Sequence, residues 1–159
     1  MEINTMEINT MEIKIERLEK ELKKVKNQEY QYRHLFEKSP TMIYAIDRQG
    51  NFLNINQAGV ELMGYDSEKQ IIGEKFQDIF FKDLNDFKTY EKKIHDHGVI
   101  TEFTAQMKKK DKSVLFVNLT GALRTTLTGK LKGYEGFVSD MTDEIETQKK
   151  IKESEEKYK

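Results

Sequence analysis

The 159-residue chain reads as an α+β domain, a five-stranded antiparallel sheet with helices on one face, with a charged helical arm at either end. Three observations predict this. Segments follow in the order β-β, four helical pieces, then β-β-β, and helices grouped between runs of strands belong to an α+β fold with an antiparallel sheet. Charge is uneven: 27 charged side chains fall in residues 1–38 and 142–159, and 28 in the 103 residues between, about 27%, an ordinary globular share. Apolar residues in the first arm recur at steps of three and four, which is helical spacing.

Composition excludes several classes. There is no cysteine, hence no disulfide framework, thiolate metal site or cysteine nucleophile. A net charge of -1 argues against a generally basic nucleic-acid binder. No run of about 18 apolar residues spans a membrane and no signal-peptide pattern opens the chain, so the expected location is the cytoplasm.

The first arm carries a heptad seam, with Ile8, Ile15 and Leu22 at a and Met11, Leu18 and Val25 at d. β-Branched residues at two of three a positions favour a parallel two-stranded coil. In that geometry Lys14 faces Glu19 of a second copy and Glu21 faces Lys26, both attractive, whereas Glu7 faces Glu12 and repels. The alternative is an amphipathic helix packed on its own domain. Glu29 interrupts the seam before Tyr32 and Phe36 resume it. The repeat MEINT-MEINT-MEI at residues 1–13 is too short to set a fold-level period.

Ser39-Pro40 ends the helix, because the residue before proline is pushed out of the α region. Met42–Ile46 and Phe52–Ile55 flank the turn Asp47-Arg48-Gln49-Gly50 and predict a hairpin. Asn56 suits the start of a helix through Ala58, Val60, Leu62 and Met63, stopped by Gly64. Short pieces follow at 67–72 and 76–81, then a longer helix from Asp83 carrying Leu84, Phe87, Tyr90 and Ile94 and ending before Gly98. Phe103, Ala105 and Met107 alternate with polar residues, marking a half-buried strand. Val114–Leu123 is apolar on both faces, so both are expected to be covered. Gly133–Met141 is the last strand.

Two stretches carry a resemblance. SPTMIYAIDRQGNFLNINQAGVELMGYDSEKQIIG and, later, GYEGFVSDMTDE resemble the PAS domain family of sensory modules over about residues 33–145. The matching features are Asp47 and Gly50 of the hairpin turn, Asn56, Gly64-Tyr65, Gly73, and Asp140-Met141-Thr142 in place of the family's Asp-Ile-Thr. Their order and spacing together are specific. The resemblance divides the chain into an N-terminal helix (1–37), a PAS domain (38–141) and a C-terminal linker helix (142–159). Residues 153–159 echo Gln28–Arg33, which implies a fragment of a longer receptor, such as a sensor histidine kinase.

The resemblance implies a ligand cavity between the inner sheet face and the helices. It places Phe116, Asn118, Thr120 and Ala122 on that inner face, with Leu115, Val117 and Leu119 facing a covering arm. Tyr44, Phe76, Phe80, Phe87, Phe103 and Met107 would supply apolar walls, or plain core. Asn118 and Thr120 would then need either a ligand or water, or partners within the protein. Family cofactors can be weighed by residue. The flavin adduct and the yellow-protein chromophore both need a cysteine that this chain lacks, and the haem histidine position falls near Asp86. The cofactor therefore stays unknown: the two cysteine-linked groups are excluded, and haem is disfavoured because that position is not a histidine. His95 and His97 fit a helix C-terminus, and Asp83 and Asp86 a helix N-terminus. No phosphate loop, G-x-S-x-G or His-Glu-x-x-His is present, and Lys108–Lys112 is a charged turn.

Thr142 is expected to cap the last helix, whose apolar residues Ile145, Ile151 and Tyr158 are sparse. In the family, the Asp and Thr of that ending couple sheet to output helix, a role the resemblance gives to Asp140 and Thr142. The expected whole is a non-catalytic sensory and dimerisation module. It would pair with itself through parallel N-terminal helices and pass ligand or partner binding to a downstream output domain of the same polypeptide. The alternative is a ligand-free dimeric spacer. Nucleic acid is not an expected partner.

Overall fold

A computed structural model describes residues 4–157, in two units that divide between Glu37 and Lys38. Of the first arm's repeat, residues 1–3 lie outside the described residues, as does Tyr158 of the second. Helix α1 runs Thr5–Lys38 and ends one residue before Ser39-Pro40. Its seam residues Ile8, Met11, Ile15, Leu18, Leu22 and Val25 are all 43–58% exposed. Glu29, the residue that interrupts the seam, pairs with Arg33 one turn on at 2.8 Å.

In the second unit, β1 (Met42–Asp47) and β2 (Phe52–Ile55) form the predicted hairpin. Asp47 Oδ1 accepts from the N–H groups of Gln49 and Asn51, an Asx arrangement that closes the turn. Helix α2 (Gln57–Met63) is capped by Asn56, and Gly64 leaves it in the left-handed region at φ 77°, open to glycine without a side-chain penalty. A single 3₁₀ turn at Glu68–Gln70 and the one-turn α3 (Phe76–Ile79) precede α4 (Leu84–His97). The Asp83 carboxylate accepts from Asn85 N–H at the start of α4. Strands β3 (Val99–Lys108), β4 (Val114–Thr125) and β5 (Leu131–Asp140) complete the sheet, and α5 (Thr142–Lys157) follows.

The five strands pair antiparallel in the order β2-β1-β5-β4-β3. Helix α2 lies against β1, and α4 against β3 and β4. The core between them holds Met42, Tyr44, Ile46, Phe52, Phe76, Phe80, Phe81, Tyr90, Met107, Val117 and Leu119, none more than 2% exposed. The edges are β2, four residues long, and β3. Strand β3 starts earlier than its alternation suggests and carries a bulge between Ile100 and Phe103, where Glu102 sits at φ 51°. The bulge puts Thr101 and Glu102 out of step with the alternation that follows.

The face assignment of β4 is corrected. Val117 and Leu119 are fully buried in the core beside half-buried Leu115, whereas Phe116 is 42% exposed and Asn118 and Thr120 share its face. Register decides this. Leu115, Val117 and Leu119 stand opposite Met107, Ala105 and Phe103, and directly opposed residues of an antiparallel pair share a face.

Candidate functional site

Three features of residues 38–157 are candidates for a functional site: a ring cluster, a cleft beside it, and the joint between β5 and α5. The ring cluster is centred on Phe76. Its ring stacks on Tyr44 and Phe80 at centroid distances of 4.9 and 4.8 Å and meets Phe52 and Phe81 edge-on at 5.3 and 5.0 Å. Within it Tyr44 and Tyr90 share a hydroxyl hydrogen bond of 2.9 Å. They reach the middle of the sheet because β4 and β5 place glycines opposite one another there, Gly121 and Gly136. A Cβ on Gly136 would collide with the Thr120 carbonyl oxygen and come within 2.9 Å of the Tyr44 hydroxyl; one on Gly121 would come within 2.9 Å of the Tyr90 hydroxyl.

Burial pushes the Tyr44 hydroxyl pKa well above the usual tyrosine value, and the adjoining Tyr90 adds to the rise. Burial likewise pushes Tyr90 up to about 12. Below pH 10 both phenols are neutral whether folded or not, so they contribute no difference. Above pH 10 the unfolded chain ionises first, binds fewer protons than the native state, and is favoured. Stability should therefore fall as pH rises from about 10 towards 12, with Tyr90 accounting for on the order of 2 kcal/mol. Far-ultraviolet circular dichroism recorded alongside tyrosinate absorbance checks this. Ionisation of all seven tyrosines before any loss of secondary structure would contradict it.

Beside the cluster a cleft of about 110 Å³ opens, with Arg48, Lys75, Phe87, Tyr90, Glu91 and Tyr134 among its lining residues. Tyr134 shares a 2.5 Å hydrogen bond with His95 Nε2, the partner that sequence reasoning did not supply for that histidine.

At the joint, β5 ends at Asp140 and α5 begins at Thr142. Met141 N–H donates to the Phe116 carbonyl at 2.9 Å, extending the β4–β5 ladder, and the Met141 carbonyl accepts the first helical bond, from Ile145. The Asp140 carboxylate accepts from both the N–H and the hydroxyl of Thr142, at 2.8 and 2.6 Å. The expected cap is thus corrected. Met141 holds the N-cap position, and the Thr142 hydroxyl is spent on Asp140 inside the first turn.

The family model of the PAS fold matches residues 30–141. The chain belongs to the PAS fold family. No curated protein matches it significantly. Among solved structures, a PAS domain from Colwellia psychrerythraea is 20% identical, with a TM-score of 0.64 over 72% of this chain and 97% of that one. The PAS domain of an HTR-like protein from Haloarcula marismortui is 21% identical, with a TM-score of 0.60 over 77% and 98%. A PAS domain from a two-component sensor histidine kinase is 18% identical, again with a TM-score of 0.60, over 72% and 98%. PAS domains are in general non-catalytic sensory modules that often dimerise or join an output domain.

Of the nine PAS pocket candidates, Tyr44, Phe76, Phe80 and Met107 are fully buried, and Phe87 and Phe103 pack half-buried against the same core. Phe116, Asn118 and Thr120 lie on the opposite sheet face, so they do not line this interior. Asn118 Oδ1 is nevertheless buried without a hydrogen-bond partner among the described residues. Interior rings left off the sequence-based candidates, Phe52, Phe81 and Tyr90, are as buried as those on it. The signal for Tyr90 is its place in the Phe87-Tyr90-Ile94 stripe of α4. Asp86, at the haem-histidine position, lies within 3.4 Å of Gln106 N–H. Among the described residues no cluster of His, Asp or Glu could hold a metal ion, and no helix is long and apolar enough to cross a membrane.

Proposed function

We propose that this PAS domain is the sensory and dimerisation module of a signalling protein, a sensor histidine kinase by kinship with one of its structural relatives. Binding of a small ligand or a partner biases the sheet. Asp140, Met141 and Thr142 hand the bias to α5, and a homodimer paired in parallel through α1 converts it into altered helix pairing downstream. The module itself performs no catalysis. It works in the cytoplasm and binds no nucleic acid.

The observation that carries this reading is the joint. No loop separates strand from helix, and Met141 is bonded to β4 through its N–H and to α5 through its carbonyl. Displacement of β5 along β4 must therefore move the first turn of α5. A switch also needs two states that bind the stimulus unequally. Support for the dimer comes from the exposed seam of α1. Lys14, Glu19, Glu21 and Lys26 form no ion pair among the described residues, so their charges are available to a second copy. Parallel, in-register pairing satisfies all four.

A second reading, the ligand-free dimeric spacer, draws support from the rings of Tyr44, Phe76 and Phe80, which stack tightly where a ligand would sit.

The cysteine-free chain allows a direct test. Single cysteines introduced by Ile145→Cys, Gln148→Cys and Lys152→Cys should cross-link between copies with yields that follow helical periodicity. Asp140→Ala should redistribute those yields, and Leu18→Lys should abolish them with conversion to monomer in sedimentation. An unchanged pattern in Asp140→Ala sinks the relay; surviving cross-links in Leu18→Lys sink the seam.

A further inference from the structure

The cleft beside the β1–β2 turn is lined by two cations, Arg48 and Lys75, that form no salt bridge among the described residues. We infer that it binds a small monocarboxylate with a short apolar body, the carboxylate held by Arg48 and Lys75 and the body lying over Tyr90, Phe87 and Tyr134. The inference rests on the sensing role proposed above and names its ligand class.

Size comes first. A volume of about 110 Å³ is several times the roughly 10–15 Å³ that one water needs, so the cleft admits a molecule of a handful of heavy atoms. Its deep side is apolar. Ile46 and Tyr90 are each 2% exposed and Tyr134 is 9% exposed, all three at the boundary of the core. Pockets for small ligands combine such a surface with a few polar groups that fix orientation.

The polar groups here are specific in sign. Arg48 sits exposed in the hairpin turn and forms no ion pair among the described residues. Its planar fork of donors matches a carboxylate in two parallel hydrogen bonds. Lys75 is held at the rim by a 2.6 Å hydrogen bond to the Gln49 carbonyl. That partner is a neutral carbonyl and leaves the ammonium two further donors, while the Lys75 charge also helps hold the Asp47 carboxyl below its usual range. Glu91 lines the cleft from α4 with the opposite sign. A second anionic group on the ligand would meet Glu91 and be repelled, which selects one carboxylate over two. Location adds a reason for the site to matter. Ile46 and Tyr134 are register partners on β1 and β5, and β5 is the strand that ends at Asp140.

Amide NMR titration of the full chain checks the inference, with sodium butyrate, n-butylammonium, n-butanol and inorganic phosphate as probes. Butyrate should give saturable shifts centred on Gly50, Lys75 and Glu91. Arg48→Gln and Lys75→Gln should each weaken it about tenfold, and Glu91→Gln should leave it unchanged or tighten it. Arg48 is exposed, so its substitution does not threaten the fold. No saturable butyrate shift overturns the inference. So does equal binding of butylammonium or butanol, binding of phosphate in place of butyrate, or indifference to Arg48→Gln. This titration reads no helix pairing, so its failure leaves the Asp140 relay standing, and failure of the cross-linking test leaves the binding result standing.

Discussion

Phe76→Ala should lose about 3–5 kcal/mol of stability, the range for removing a buried ring and leaving most of its space empty. The site can hardly collapse. Five other rings, those of Tyr44, Phe52, Phe80, Phe81 and Tyr90, stand 4.8 to 5.8 Å from its centroid, and three of them are carried by β1, β2 and α4. Phe76 is also the single buried residue of α3, a helix of four residues. Without the ring, that turn keeps backbone bonds such as Phe76 N–H to the Gly50 carbonyl, half-buried Ile79, and the buried Phe80 and Phe81 that follow it, but loses its own central anchor. Since a domain of this size is stable by about 5–15 kcal/mol in total, the variant should unfold at a much lower urea midpoint. A loss under about 1 kcal/mol would show that the rings are not the packing centre.

Asn56→Ala is expected to cost roughly 3 kcal/mol by a different route. Asn56 is fully buried, and its Oδ1 accepts from Ile43 N–H at 2.9 Å and Gly59 N–H at 3.0 Å. Its Nδ2 donates to the Thr41 carbonyl at 2.9 Å. One side chain thus caps α2 and staples it to β1. Alanine removes the cap, worth about 1 kcal/mol, and leaves strand groups without partners at about 1–3 kcal/mol for each that stays buried. Asn56→Ser separates the two roles. Its hydroxyl can cap the helix and cannot reach β1, so it should recover the cap's share and no more. Full recovery in thermal unfolding would mean the staple contributes nothing.

Local chemistry was what the sequence made legible. The Asp47–Gly50 turn, the Asn56 and Asp83 caps and the Gly64 and Gly98 helix ends each depend on residues within a few positions of one another, and each stands where expected. The parity of β4 was not legible, because Leu115, Val117 and Leu119 alternate with Phe116 and Ala122 and apolar character alone points both ways. Pairing resolves it. The Lys109–Ser113 turn sets Val114 opposite Lys108, and the clear alternation of β3 then decides which face of β4 is inward. The cleft was invisible for the same reason, since Arg48 of the hairpin turn, Lys75 before α3, Glu91 of α4 and Tyr134 of β5 are distant in sequence and only the tertiary fold brings them together.

The bulge in β3 has a consequence for the protein in a crowded solution. An open sheet edge invites another chain to add a strand, and repeated addition builds fibres. Here the far end of β3 is already occupied, by Lys82 N–H on the Gln106 carbonyl and Lys108 N–H on the Phe80 carbonyl. Its near end is interrupted by Glu102, a carboxylate on left-handed backbone at φ 51°. An incoming strand would find no straight run of partners and a charge in its path. The four-residue β2 at the opposite edge is closed by Phe52 N–H to the Glu74 carbonyl and Gly73 N–H to the Phe52 carbonyl. The sheet is built to stop at five strands, and neither edge offers a ready template for a sixth.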